Sequence, residues 1–286
     1  MALSNYQMSF NGFTIGAGTP YQIIDIDGLE SVPELRVQDS PRGYYDGYFT
    51  GRDFFNGRTL TLTLNVFAGN SNSAQTNWNL LKAAFQPVQA LTSSNGLLQF
   101  QLSPSDSTKR MTARVRSRKS KVDPEWTFGF IRAQVELFAP DYRYYSDTLV
   151  TSASLIPQAG AGRTYNRTYN LTYTSVISAS AATIDNTAGN AAAAPTVTIT
   201  GPVISPQITN LSTGAFMAIN YSMSSTDVLV IDLSQNTITL NGSNARNLVT
   251  AGSQFFTFAA GASQVLYFTA LSTTGTAVVT YRQAFA

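Results

Sequence analysis

The densest run of ionisable side chains is Lys109 to Lys121, KRMTARVRSRKSK, with seven basic residues in thirteen. A stripe of this kind could neutralise phosphates. Strand alternation, however, puts Arg114, Arg116 and Arg118 together on the face opposite Ala113 and Val115. No aromatic side chain interleaves with them to stack on a base. An acidic counterpart lies upstream, where Asp25, Asp27, Glu30, Glu34, Asp39 and Asp46 fall between positions 25 and 46. Opposite-sign patches on one domain suit contact between copies of the chain. The expected pairing sets Arg114, Arg116 or Arg118 of one copy near an acidic residue of that segment, such as Glu34 or Asp39, on the next.

Other candidates are weaker. DIDGLE, Asp25 to Glu30, opens like a calcium loop, but the third ligand and the Glu at loop position twelve do not follow. A tight turn at Asp27-Gly28 is the better reading. Asp227 and Asp232 are separated by five residues, which puts them on opposite faces of a strand and argues against a catalytic pair. Cys and His are both absent. Disulfides, thiolate metal sites, zinc hydrolase centres and Ser-His-Asp triads each lack a required residue. Carboxylate chemistry remains, with 16 Asp and Glu to supply it. No catalytic, cofactor-binding or metal-ligating residue is assigned; the expectation is a protein without cofactor that is not an enzyme. The Asn-x-Ser/Thr triplets at Asn166, Asn170, Asn210 and Asn241 follow from a composition rich in those residues.

The elements that position these groups are mostly strands. Thr59 to Phe67 alternates with Leu60, Leu62, Leu64 and Val66 on one face. Leu97–Leu102, Thr112–Arg118 and Phe128–Phe138 alternate likewise. One helix near 74–86 interrupts them, with Trp78, Leu81 and Phe85 on one side, Ser73 as N-cap and Pro87 as stop. A single helix among strands suggests a barrel with the helix packed across it. Beyond residue 163, short strands separated by Gly, Asn and Ser turns predict an antiparallel sandwich of the jelly-roll sort. The buried set there is expected to include Tyr169, Ile199, Ile231 and Phe268, with Phe255, Phe258 and Tyr267 also in the core.

Charge divides the chain in the same way, since residues 1–150 hold 27 of the 34 charged side chains. Thr151 to Gly162, TSASLIPQAGAG, reads as a linker between domains 1–150 and 163–286. Charged residues make up only 12%, about half the ordinary share. The net charge of +2 argues for neither nucleic acid nor membrane. No apolar stretch approaches the roughly 20 residues that span a bilayer, and the N-terminus lacks a signal-peptide pattern. The chain reads as soluble and made in a cytoplasm.

The first domain closes on ELFAPDYRYYSD, Glu136 to Asp147, where an apolar strand stops at Pro140 and aromatic and charged residues crowd together. Tyr and Arg are types that interfaces favour. Asp141, Tyr142, Arg143, Tyr144 and Tyr145 are therefore expected where domains and neighbouring subunits meet.

Three stretches resemble the distal tail proteins of long-tailed, non-contractile phages, the siphovirus-type tail component family. Glu34 to Val66 resembles the family's Gly-punctuated segment, with Gly43, Gly47, Gly51, Gly57 and Arg58 in its places. ELFAPDYRYYSD resembles the close of its first domain, with Ala139-Pro140-Asp141 departing from the usual Asp-Pro. Residues 186–242 follow the second domain through Asn186, Gly189, Asn190, Pro195, Ile199, Gly201, Pro206, Asn210, Gly214, Asp232 and Gly242.

The resemblance implies an all-β fold with one helix: an N-terminal ring-forming split β-barrel and a C-terminal galectin-like β-sandwich. It implies a structural virion protein at the distal end of the tail, usually a homohexameric ring around the genome channel. The implied partners are other copies of itself, the tail tube protein, the tail-tip hub and tape-measure proteins, and a receptor-binding protein held by the sandwich. Genome DNA would pass without specific binding, and no membrane is involved. The alternative is a carbohydrate-binding tail-tip module contacting host glycans.

Overall fold

The computed structural model describes residues 3–87, 95–157, 180–271 and 274–286. The chain divides into two compact units, residues 1–147 and 148–285.

In the first unit, β1 (Gln7–Phe10) and β2 (Phe13–Gly16) form a hairpin, and β3 (Tyr21–Asp27) follows. Four two-residue strands come next: β4 (Leu35–Arg36), β5 (Ser40–Pro41), β6 (Tyr48–Phe49) and β7 (Phe54–Phe55). Then come β8 (Arg58–Phe67), helix α1 (Ser71–Ala84), β9 (Gly96–Gln101), β10 (Lys109–Lys121), β11 (Phe130–Ala139) and β12 (Tyr144–Ser146). The main strands pair antiparallel in the order β2-β1-β9-β10-β11-β8-β3, with β12 added beside β10.

Alternation explains the core. Leu60, Leu62, Leu64 and Val66 of β8 are fully buried, while Thr59, Thr61, Thr63 and Asn65 face outward. Helix α1 buries Ala74, Trp78 and Leu81, and the Phe85 ring that follows it stacks on Phe10 at 5.2 Å. The N-cap is Asn70, not the expected Ser73: extended backbone at Asn70 lets its side chain accept from the Ser73 amide at 2.9 Å. That arrangement satisfies one otherwise unpaired donor of the first turn.

The second unit opens with β13 (Val150–Thr151), which pairs with a late strand, so the stretch expected as linker begins inside this unit. Leu155 is buried in its core. Residues 158–162 of that stretch, Tyr169 and the strand expected around it lie outside the described residues.

The strands then run β14 (Ala181–Asp185), β15 (Thr196–Thr200), β16 (Val203–Ile204), β17 (Gln207–Asn210), β18 (Phe216–Ala218), β19 (Ser222–Met223) and β20 (Val228–Asp232). They continue with β21 (Thr237–Leu240), β22 (Ser243–Asn244), β23 (Ser263–Thr269) and β24 (Thr276–Tyr281). One sheet runs β13-β24-β15-β20-β21-β22 and the other β14-β23-β17-β18. Ile199 and Ile231 of the first sheet share a core with Ile208 and Phe268 of the second, as alternation predicts. Tyr267 belongs to the outer face, because it neighbours the buried Leu266 and Phe268 on an alternating strand. Gln254 to Phe258 is not a strand; Phe258 makes an isolated bridge to Ala193 and drops its ring into the core.

Candidate functional site

The most exposed apolar surface of the first unit lies on a segment without a core of its own. β4 pairs with β7 and β5 with β6, drawing residues 35–55 into a two-stranded arm. The arm is stapled by Asn56 N–H to the Glu34 carbonyl (2.9 Å), Gly51 N–H to Asp39 Oδ1 (2.8 Å) and Arg42 N–H to the Gly47 carbonyl (3.1 Å). Tyr44 is 98% exposed, Tyr45 81%, and Tyr48 and Phe49 62% each. Arginines cover part of the remaining aromatic surface: Arg36 and Arg52 lie over Phe54 at 5.2 and 5.3 Å, and Arg42 over Phe49 at 5.1 Å. A lone hairpin is marginal in water, and an aromatic patch on one marks a place for a partner.

The arm's feet are built tightly. Gly28 has a left-handed φ of +84°, and a Cβ there would strike the Thr59 carbonyl. A Cβ on Gly57 would sit 2.6 Å from the Phe138 ring. Phe55 stacks on Tyr142 at 4.6 Å, anchoring the arm to the body of the unit. Between these feet lies Arg58, 2% exposed. Burial lowers its pKa, against the opposing influence of Tyr144 and Glu30. The Asp27-Gly28 pair thus ends β3 and launches the arm; it does not form a tight hairpin turn.

The Tyr/Arg cluster expected at an interface is largely satisfied within its own unit. The Asp141 carboxylate accepts from Arg143 Nε at 3.1 Å and from the Tyr145 hydroxyl at 2.7 Å. Burial, reinforced by Asp141, pushes the Tyr145 phenol well above its ordinary pKa. Arg143 is also raised: burial acts against its charge, but the hydrogen bond and charge of Asp141 outweigh it. Tyr144 is buried, with Arg58 and Lys109 over its ring and Phe100 against it. Its side chain therefore belongs to the core, not to a surface.

The three arginines of β10 do not share one solvent face. A β-bulge between Val115 and Ser117 shifts the register, so Arg114 sits opposite Phe138 but Arg118 sits opposite the buried Val135. An extra residue in one strand reverses the parity of everything after it. Arg114 and Arg116 stay exposed, with their guanidinium groups 5.4 and 4.6 Å from the Phe138 ring. Arg118 turns inward and lies over Trp78, and partial burial lowers its pKa.

On the outer face of this sheet, register aligns Asp25 with Thr63, Thr63 with Gln134 and Gln134 with Lys119. The next row runs Gln22, Asn65, Arg132 and Lys121. Charge thus changes sign across one exposed polar surface, from Asp25 and Asp27 on β3 to Lys119 and Lys121 on β10. Glu34 and Asp39 are not part of that surface; both belong to the arm and are exposed.

In the sandwich, polar groups serve the fold. The buried Asn186 amide donates to the carbonyls of Ala191 (2.8 Å) and Ala259 (3.1 Å) and accepts from the Ala284 amide (3.2 Å). Asn210 donates to Gln264 at 3.2 Å. Asp227 and Asp232 accept turn amides from Ser224 and Ser234, at 2.7 and 2.8 Å. Among the described residues, no three His, Cys, Asp or Glu side chains gather into a site that could hold a metal ion.

The fold and this surface define a class: a two-unit all-β protein with an exposed aromatic arm on the first unit. Residues 188–285, which lie within the second unit, match the family described as siphovirus-type tail component, C-terminal domain. The whole chain has the fold of the Dit (gp 19.1) protein of phage SPP1, with TM-score 0.67 and 14% identity over 98% of this chain and 99% of that one. A chain of the phage P2 baseplate in its activated conformation with Ca aligns at TM-score 0.47 and 10% identity, over 92% of this chain and 91% of that one. No curated protein matches the sequence.

Proposed function

We propose that the chain is a distal tail protein, a structural virion component that closes into a ring at the tip of a phage tail and joins the tube to the adsorption apparatus. The likeness of fold is to a protein described as a paradigm of the hub adsorption apparatus in phages infecting Gram-positive hosts. The observation that carries the assembly reading is the aromatic arm, which buries little against its own unit.

Sheet geometry supports a ring. Among the described residues, β3 pairs with β8 alone, and the Arg114–Lys121 part of β10 pairs with β11 alone. The sheet β3-β8-β11-β10 thus presents two unpaired strand edges, one acidic and one basic. Joining the acidic edge of one copy to the basic edge of the next is a heterologous contact, the kind that closes rings. The residues proposed for subunit contact are Glu34 and Asp39 on the segment that follows the acidic edge, Arg114 and Arg116 on the basic edge, and Asp141, Tyr142, Arg143 and Tyr145 at the foot of the arm. Arg118 and Tyr144 are spent inside the unit. Six copies, the tube protein, the tip hub and tape-measure proteins, and a receptor-binding protein on the sandwich are the partners that go with this reading.

Mass photometry of the purified chain tests it, beside a variant in which residues 36–53 are replaced by a short Gly-Ser link. A closed oligomer for the full chain and a monomer for the armless variant are expected. A full chain that stays monomeric at every concentration, or an armless chain that assembles normally, would sink the proposal.

A further inference from the structure

We infer that Arg58 is the positioning residue of the arm: one buried guanidinium fixes the direction in which the arm leaves the first unit. Its consequence for assembly rests on the reading above; its effect on arm direction does not.

The geometry is specific to the arm's feet. Nη1 donates to the carbonyls of Gly28 (3.1 Å), Leu29 and Ser31 (3.0 Å), the stretch that carries the chain from β3 toward the arm. Nε donates to the Tyr142 carbonyl at 3.1 Å, and Tyr142 in turn stacks on Phe55 of the arm. The backbone of Arg58 is itself the first residue of the returning strand, opposite Ala139. A single residue therefore holds the outgoing limb by its side chain, the returning limb by its main chain, and the body through Tyr142.

Packing alone does not account for an arginine here. The bonds above all run to carbonyls, none to a carboxylate, and the buried Nη2 has no acceptor among the described residues. An apolar side chain of similar volume would fill the space without desolvating a charge. What it could not do is bond divergent carbonyls at once. Lysine could serve the Gly28–Ser31 carbonyls or that of Tyr142 but not both, because its ammonium is a single point on a flexible stem, whereas the guanidinium donates to the two sides from separate nitrogens, Nη1 and Nε, of a rigid planar fork. Gly28 and Gly57 complete the device by letting the two limbs approach the body closely.

The test uses the absence of cysteine, which allows two unique spin labels, at Tyr45→Cys on the exposed arm and Thr112→Cys on the exposed face of β10. Electron–electron distances are measured in the full-length chain, spin-diluted with unlabelled protein. With Arg58 intact the distribution should be single and narrow. With Arg58→Lys it should broaden about twofold and shift, while the circular dichroism spectrum is retained. The closed-oligomer fraction should fall about tenfold in parallel.

An unchanged distribution in a folded Arg58→Lys variant overturns the inference. So does a broad distribution in the chain with Arg58 intact, a result that needs no variant to fold. If that chain is monomeric yet its distribution is narrow and Arg58→Lys broadens it, the ring reading fails and the positioning role of Arg58 stands.

Discussion

Arg118 donates to the Phe85 carbonyl at 3.0 Å, and to that of Lys82 at 2.6 Å, so the basic strand caps the C-terminal end of helix α1. A cation there satisfies carbonyls that the helix leaves unpaired and complements its dipole. Arg118→Ala should cost the first unit about 1.5–3 kcal/mol, the range for hydrogen bonds involving a charged group. Arg114→Ala, on the exposed side of the bulge, should stay within about 0.5 kcal/mol. Urea unfolding of both variants checks this; equal losses would mean that the two arginines share a face.

Assembly should respond to the exposed arginines in the opposite way. Exposed ion pairs are worth only about 0–1 kcal/mol each, so Arg114→Ala alone should leave the oligomer mass unchanged. Reversing Arg114 and Arg116 together to Glu should abolish the oligomer without lowering the melting temperature. Reversing Glu34 to Lys in that background should restore part of it, whereas Asp39→Lys should not, because it also removes the acceptor of the Gly51 amide. Normal assembly of the double reversal would remove this strand from the subunit contact.

The sandwich core offers a test of strand phase. Phe268 is fully buried between the sheets, whereas Leu271 is 75% exposed. Phe268→Ala should cost about 3–5 kcal/mol, and Leu271→Ala less than about 0.5 kcal/mol. Calorimetry of the second unit's transition distinguishes them, and a silent Phe268→Ala would refute the assigned phase.

Acid should act on the turns of the same unit. Hydrogen bonds from the Asn241 side chain and the Ser224 amide lower the Asp227 pKa, and the Thr187 hydroxyl and amide do the same for Asp185. A carboxylate with a depressed folded pKa contributes stability above its unfolded value and loses it as pH falls through the folded one. The melting temperature should therefore hold down to about pH 4 and fall below it. Asp227→Asn should lower the plateau and make the acid limb shallower; an identical pH profile would show that the turn does not depend on the charge.

How much of this was legible in the residues differs from element to element. Side-chain alternation is a local property, so Leu60 to Val66, Ile199, Ile231 and Phe268 declared their buried faces without any knowledge of neighbours. The helix declared itself through Trp78, Leu81 and Phe85, and the division of charge separated two kinds of domain. The markers at Asn186 and Asn210 were visible as a pattern, but their buried amide bonds were not. The aromatic arm had a signal in RGYYDGYFTGRDFF, where paired aromatics stand between glycines, yet nothing local says that two-residue strands will pair and leave those rings in solvent. The bulge in β10 was invisible, because its cause is the register against β11 and not the basic run itself; one extra residue took Arg118 from the surface to the helix end. The roles of Arg58 and Tyr144 depend on carbonyls and rings far away in the chain. Local periodicity determines which face of a strand is apolar, whereas a buried charge finds its partners only after the chain has closed around it.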